Sequence, residues 1–198
     1  AQGLAETHLP PAIPYFIEAM ADSFWWYERE NASKPLLDSI EQFGAEAVEP
    51  LIGALKNNEG TVRKNAAIIL GRIGDTRAVE ALGMALYDLH YEVGSAAAES
   101  LAKLGAASIN VLAEALKHPE AGIRLHAVWA LTRIKDKRIL PLIAELLHDP
   151  ERHVLKQVIQ SLGELGDPRA LAVLTPIADN RGDRELSMLA REAISQMT

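Results

Sequence analysis

A chain of 198 residues has room for one domain with a full core or for two small ones, and 20 basic against 27 acidic side chains leave it at −7. That balance argues against nucleic acid or an anionic membrane surface as the partner, since both need a basic face. The absence of cysteine excludes disulfides and thiolate metal sites, and it fits a reducing, cytoplasmic compartment.

The first predicted element is PAIPYFIEAM, a helix carrying Ile13, Tyr15, Phe16 and Ile17 after Pro10 and Pro11. SFWWYEREN follows, with Phe24, Trp25, Trp26 and Tyr27 in one row. NASKPLLDSIEQFGA then reads as a second helix, because Ile40, Phe43 and Gly44 stand 30 residues before Leu70, Ile73 and Gly74. Downstream the pattern repeats. TVRKNAAIILGRIGD is echoed by YEVGSAAAESLAKLGA, GIRLHAVWALTRIKD and HVLKQVIQSLGELGD, which places Val62, Val93, Ile123 and Val154 at spacings of 31, 30 and 31. A degenerate last copy puts Leu186 at the same point, 32 further on. Each copy is preceded by a second apolar segment: VEPLIGAL, VEALGMAL, INVLAEAL, LPLIAELL and LAVLTPIA.

Val62, Ala66, Ile69, Leu70 and Ile73 fall on one face of a 3.6-residue period, so each copy is a pair of helices. Gly74, Gly105, Lys135-Asp136 and Gly166-Asp167 are expected to end the second helix. A helix pair with one apolar face cannot bury it alone, so neighbours must stack. The expectation is an all-α fold: a single α-solenoid domain over 1–198 with about six two-helix HEAT-like repeats of period near 31, spanning roughly 10–45, 46–75, 76–106, 107–136, 137–167 and 168–198. In that frame the first pair is offset by 35 at its first helix, so SFWWYEREN is an insertion of about five residues in the turn. Its aromatics are expected to divide between capping the N-terminal end and forming a binding lip.

The pattern VRxxAAxxLGxIGD followed by AVEALxxAL resembles the short HEAT-like repeats of the phycobilisome-lyase (E-Z) type, over nearly the whole chain. The resemblance implies a helical superstructure that binds protein surfaces, in some members with a chromophore. Deoxyhypusine hydroxylase is similar in its repeats but holds two irons on His-Glu pairs. Here the six histidines precede Leu, Tyr, Pro, Ala, Asp and Val, so that activity is not expected.

If Val62, Ala66, Leu70 and Ile73 face the stack, Lys64, Ile68 and Arg72 point the other way, and equivalent triplets should line a concave wall. Most rungs are solvated. Leu125 and Trp129, with His126 beside them, are the exception, rimmed by Arg72, Lys103 and Arg133, a mix of Trp and Arg typical of interface hot spots. The expected partner-binding residues are Trp129, Leu125, Ile68, Arg72, Arg133, His126 and Lys64, with Phe24, Trp25, Trp26 and Tyr27 of the insertion. The competing reading packs Trp129 into the inter-repeat core.

His118 and His148 occupy equivalent turns about 10 Å apart, too far to share a metal ion, and each is expected to be solvated. Pro119 and Pro150 are read as helix-start residues, and Asp75, Asp136 and Asp167 as caps. RGD at 181–183 is read as an ordinary loop. No catalytic residue, metal site or cofactor is assigned.

Two functions compete. One is a non-catalytic scaffold that grips a partner protein; the other is a bilin lyase subunit, or a phycobilisome chaperone or degradation factor, that handles an open-chain tetrapyrrole on a phycobiliprotein. Beginning at Ala1 without Met, the chain also reads as a processed protein or a domain of a larger one. Its first helix either caps the stack or docks a second copy, making the N-terminal end the candidate homo-oligomer contact.

Overall fold

The computed structural model describes residues 12–19 and 38–197, and every regular element among them is helical. The contacts gather the chain into two compact units, Ala1–Ser108 and Ile109–Thr198. The first contains α1 (Ala12–Ala19), α2 (Val48–Ala54), α3 (Gly60–Ile73), α4 (Val79–Ala85) and α5 (Tyr91–Leu104). The second contains α6 (Ile109–Ala115), α7 (Ala121–Arg133), α8 (Ile139–Ala144), α9 (Arg152–Leu165), α10 (Leu171–Ala178) and α11 (Arg184–Ser195). The predicted pairing and period are both present: short first helices alternate with second helices of twelve to fourteen residues.

Within each unit the second helices stack on one another, α3 on α5 in the first and α7 on α9 on α11 in the second. The face chosen by periodicity is the buried one. Val62, Ala66, Ile69 and Leu70 are inaccessible to solvent, while Ile73 at the helix end is half-buried. Close stacking depends on a small residue at one repeated position. A methyl group added at Gly71 would lie 2.7 Å from Ser100 Cα, and one added at Gly163 would lie 2.9 Å from Ala193 Cα. Ser100 Oγ donates to Ala67 O at 2.8 Å across the same contact.

The helix ends follow local chemistry. Gly74 and Gly166 adopt left-handed conformations at φ 76° and 62° and close α3 and α9. The corresponding position of α7 has no glycine, so that helix stops at Arg133 and Ile134 turns extended, slightly before the expected Lys135-Asp136. Asp75 and Asp167 each accept the backbone N–H two residues on, at 2.9 Å, and so open short 3-10 turns, Thr76–Ala78 and Pro168–Ala170, that lead into α4 and α10. Periodicity alone had not shown these turns.

α1 lies on α2 and α3 of its own unit. Ile13 and Phe16 are buried, Phe16 meets the Phe43 ring at 5.9 Å, and Tyr15 stays exposed. The apolar face of this helix is thus largely occupied within the chain. The aromatic stretch at 23–31 lies outside the described residues, and so do Phe24, Trp25, Trp26 and Tyr27.

Candidate protein-binding surface

The outer face of α7 gathers Leu125, His126, Trp129 and Arg133. Leu125 and Trp129 are half-buried, neither sealed in the core nor free of it. The Arg133 guanidinium sits 3.6 Å from the centre of the Trp129 ring. Its Nη1 donates to Trp129 O at 3.2 Å, which fixes it over the indole. His126 is half-buried beside them. Burial pushes its pKa down, against an upward pull from Glu120, and so favours the neutral imidazole.

Lys64, Ile68 and Arg72 lie on α3, in the other compact unit. Ile68 is half-buried. The two cations expected to stand open here are neutralised within the unit. Lys64 bonds Glu92 at 2.6 Å, and Arg72 bonds Asp38 at 2.6 Å and Glu41 at 2.7 Å. Lys103, the third cation expected at the rim together with Arg133, is paired with Glu99 at 2.9 Å. Periodicity could not supply these partners, because two of the three cations pair across repeats.

His118 and Pro119 have structural roles, whereas His148 is exposed, as expected. Two residues before the caps of α3, α5, α7 and α9, a side chain accepts the cap's N–H: Asn57 from Glu59, Asp88 from His90, His118 from Glu120 and Asp149 from Glu151. His118 does so through Nδ1, as an imidazole in place of a carboxylate. Among the described residues no cluster of His, Asp and Glu is suited to a metal. Pro119 and Pro150 precede the caps Glu120 and Glu151 instead of opening the helices as expected. Pro119 O, together with His118 O, accepts from Arg124 Nη1, so at 119 a carbonyl is used where a helix-start residue was anticipated.

Two of these turns are stapled. Arg63 reaches from α3 to Asp88 at 2.6 and 2.9 Å, and Arg124 reaches from α7 to Asp149 at 2.7 and 2.8 Å. The second pair is almost sealed, with side chains only 8% and 4% exposed. Arg63 hydrogen bonds, opposed by burial and helped by the His90 N–H, hold the Asp88 carboxyl down at about 2. Burial pushes Asp149 up, but Arg124 and the Glu151 N–H outweigh it and leave its pKa lowered.

One exposed apolar feature was not anticipated. Met84, Tyr87, Leu89 and Tyr91 crowd the turn between α4 and α5, and Leu89 is 99% exposed. The signal was legible: this turn reads YDLHY where its counterparts read KNNEG and KHPEA.

The family model for HEAT repeats matches residues 13–102, 48–123 and 109–195. Phycocyanobilin lyase subunit alpha of Picosynechococcus is 29% identical over 147 residues, 64% of this chain and 54% of the relative, so the chain spans about half the length of that protein. An uncharacterized phycocyanin operon protein Z of Pseudanabaena tenuis is 26% identical over 79% of this chain and 83% of its own. Among solved structures, the complex of CpcE and CpcF of phycocyanin lyase from Nostoc gives a TM-score of 0.58 at 23% identity, covering 76% of this chain and 98% of the matched one. A designed armadillo repeat protein bound to a (KR)4 peptide gives 0.53 at 17% identity, covering 94% and 99%. These two likenesses speak to the fold alone. No helix among the described residues is long and apolar enough to cross a membrane.

Proposed function

The chain belongs to the family of HEAT repeats, and we propose that it is a protein-binding subunit whose partner is a phycobiliprotein. The observation that carries the binding role is the α7 face, where half-buried Leu125 and Trp129 lie beside an indole-stacked guanidinium. Trp and Arg are among the residue types that dominate interface energetics. The apolar turn at 84–91 offers a further contact in the other compact unit. The partner class is supported by the phycocyanin-related names of both relatives.

The test is titration of the full chain with bilin-free phycocyanin, followed by calorimetry and co-elution. The expected result is a complex that Trp129→Ala weakens about tenfold or more. A chain that neither binds phycocyanin nor co-elutes with it would end this reading. A second reading, that the chain handles the bilin itself, is supported by the name phycocyanobilin lyase subunit alpha. In it the aromatics stack on the pyrroles and Arg pairs with the propionates. Mixing with phycocyanobilin checks it: a shifted pigment spectrum with quenched Trp fluorescence is the expected sign, and an unchanged spectrum removes direct pigment binding.

A further inference from the structure

Three of the second helices carry a cation at one repeated position, Arg72 on α3, Lys103 on α5 and Arg133 on α7, while α9 has Glu164 there. The first two are cancelled. Arg72 is held by Asp38 and Glu41, and Lys103 by Glu99 four residues before it. On α7 the residue four before the cation is Trp129. An indole therefore stands where α5 carries the neutralising carboxylate, and it positions Arg133 without cancelling its charge. Among the described residues of its unit, no carboxylate pairs with Arg133, nor with Arg181, Arg184 or Arg191, but of these four only Arg133 is seated on a ring; Arg124, Arg138, Arg152 and Arg169 are paired. Its Nε and Nη2 edge takes part in no hydrogen bond with the described residues of the unit, and Leu125 lies two turns back along the same face.

Building on the protein-binding reading above, we propose that Arg133 is the anchor for an Asp or Glu carboxylate on the surface of the partner protein. Trp129 acts as its positioning residue, and an apolar neighbour of that carboxylate rests on Leu125. A guanidinium fork matches a carboxylate in two parallel bonds, and the ring beneath it lowers the entropy lost on binding. The site is a shallow face on one helix. A small ligand needs a concavity that covers most of its surface, whereas a protein side chain brings the rest of its own surface as contact area.

Two measurements on the full chain test this. In the first, the arginine Nε–Hε signals are followed by NMR while acetyl-Leu-Glu-Leu-amide is added to millimolar concentration, with the Gln peptide as control. The Arg133 signal, assigned by its loss in Arg133→Lys, is expected to move saturably with the Glu peptide, further than those of Arg124 and Arg152, and to stay in place with the Gln peptide. No movement, or equal movement with both peptides, overturns the inference. In the second, bilin-free phycocyanin is titrated into wild type, Arg133→Lys and Arg133→Glu. Binding is expected to weaken a few-fold in the Lys variant and about tenfold or more in the Glu variant, with unchanged melting temperatures. Wild-type binding that Arg133→Glu leaves intact overturns the inference while the phycobiliprotein reading stands. If wild type does not bind phycocyanin, that reading falls and the peptide titration alone decides the inference. A phycocyanobilin spectral shift that Arg133→Glu abolishes assigns the carboxylate to the pigment, which also overturns it.

Discussion

Replacing Asp88 by Asn isolates the charge of one staple, because an amide oxygen can still accept the His90 N–H at the cap. In the wild type Asp88 receives Arg63 Nε at 2.6 Å and Nη2 at 2.9 Å, and both side chains are only 12% exposed. Arg63 Nη1 is meanwhile bonded to Asn57 O and Asn58 O, so the guanidinium cannot swing out to water without losing these as well. The carboxyl titrates at about 2 instead of 3.8. A folded pKa below the unfolded one means that the unfolded chain binds the proton first. The staple's contribution is therefore fully present above about pH 4 and is lost as pH falls towards 2. At 1.36 kcal/mol per unit the contribution is roughly 2 kcal/mol. Asp88→Asn should thus cost about 2 kcal/mol at pH 7, or about 4–8 °C in melting temperature for a chain of this size. Urea unfolding followed by circular dichroism at pH 7 and pH 2.5 measures the gap between wild type and variant, and other acidic groups titrate alike in both. The gap is expected to shrink by more than half at pH 2.5. A gap of equal size at both pH values, or none at pH 7, refutes the assignment of the charge.

Gly71→Ala should cost about 1–3 kcal/mol, since its methyl group would meet Ser100 Cα at 2.7 Å, whereas Gly53→Ala in α2, with nothing within 4 Å, should be neutral or stabilise by up to about 1 kcal/mol; denaturant midpoints compare them. Trp129→Ala should destabilise by about 1–2 kcal/mol in thermal melts, between a core and an exposed truncation, because its ring is half-buried. Leu89→Ser, at a side chain 99% exposed, should leave stability within about 0.5 kcal/mol, while titration with bilin-free phycocyanin should show weaker binding if the 84–91 turn touches the partner.

The fold was legible because the same instruction is written several times. Any one apolar segment is ambiguous, but Val62, Val93, Ile123 and Val154 at near-equal spacing fix both the helix length and the face that stacks. The 3-10 lead-ins were less legible, since they depend on a two-residue reach from Asp75 and Asp167 to a backbone N–H that periodicity does not register. The site was half legible. Position within the repeat put Trp129 and Arg133 on an outer face, but whether a cation there is free depends on carboxylates that can lie 31 to 34 residues away, as Asp38 does for Arg72.

Comparing the copies with one another recovers part of what a single copy hides. Where the second helix carries Arg, at 63 and 124, the following turn carries Asp, at 88 and 149. Where it carries Gly94, the following turn carries His118, which keeps the cap and drops the ion pair. Charge is thus matched from helix to following turn, repeat by repeat, and stacking requires no more than that. A residue that breaks the matching without helping the stack needs another reason to be there. Trp129 in the place of Glu99 removes the cation's partner on its own helix, and Leu89 and Tyr91, which flank the matched Asp88 where the preceding copy has Asn58 and Gly60, leave apolar surface facing outward. In a repeat protein the core is set by where the copies agree, so a binding surface has to be written where they disagree.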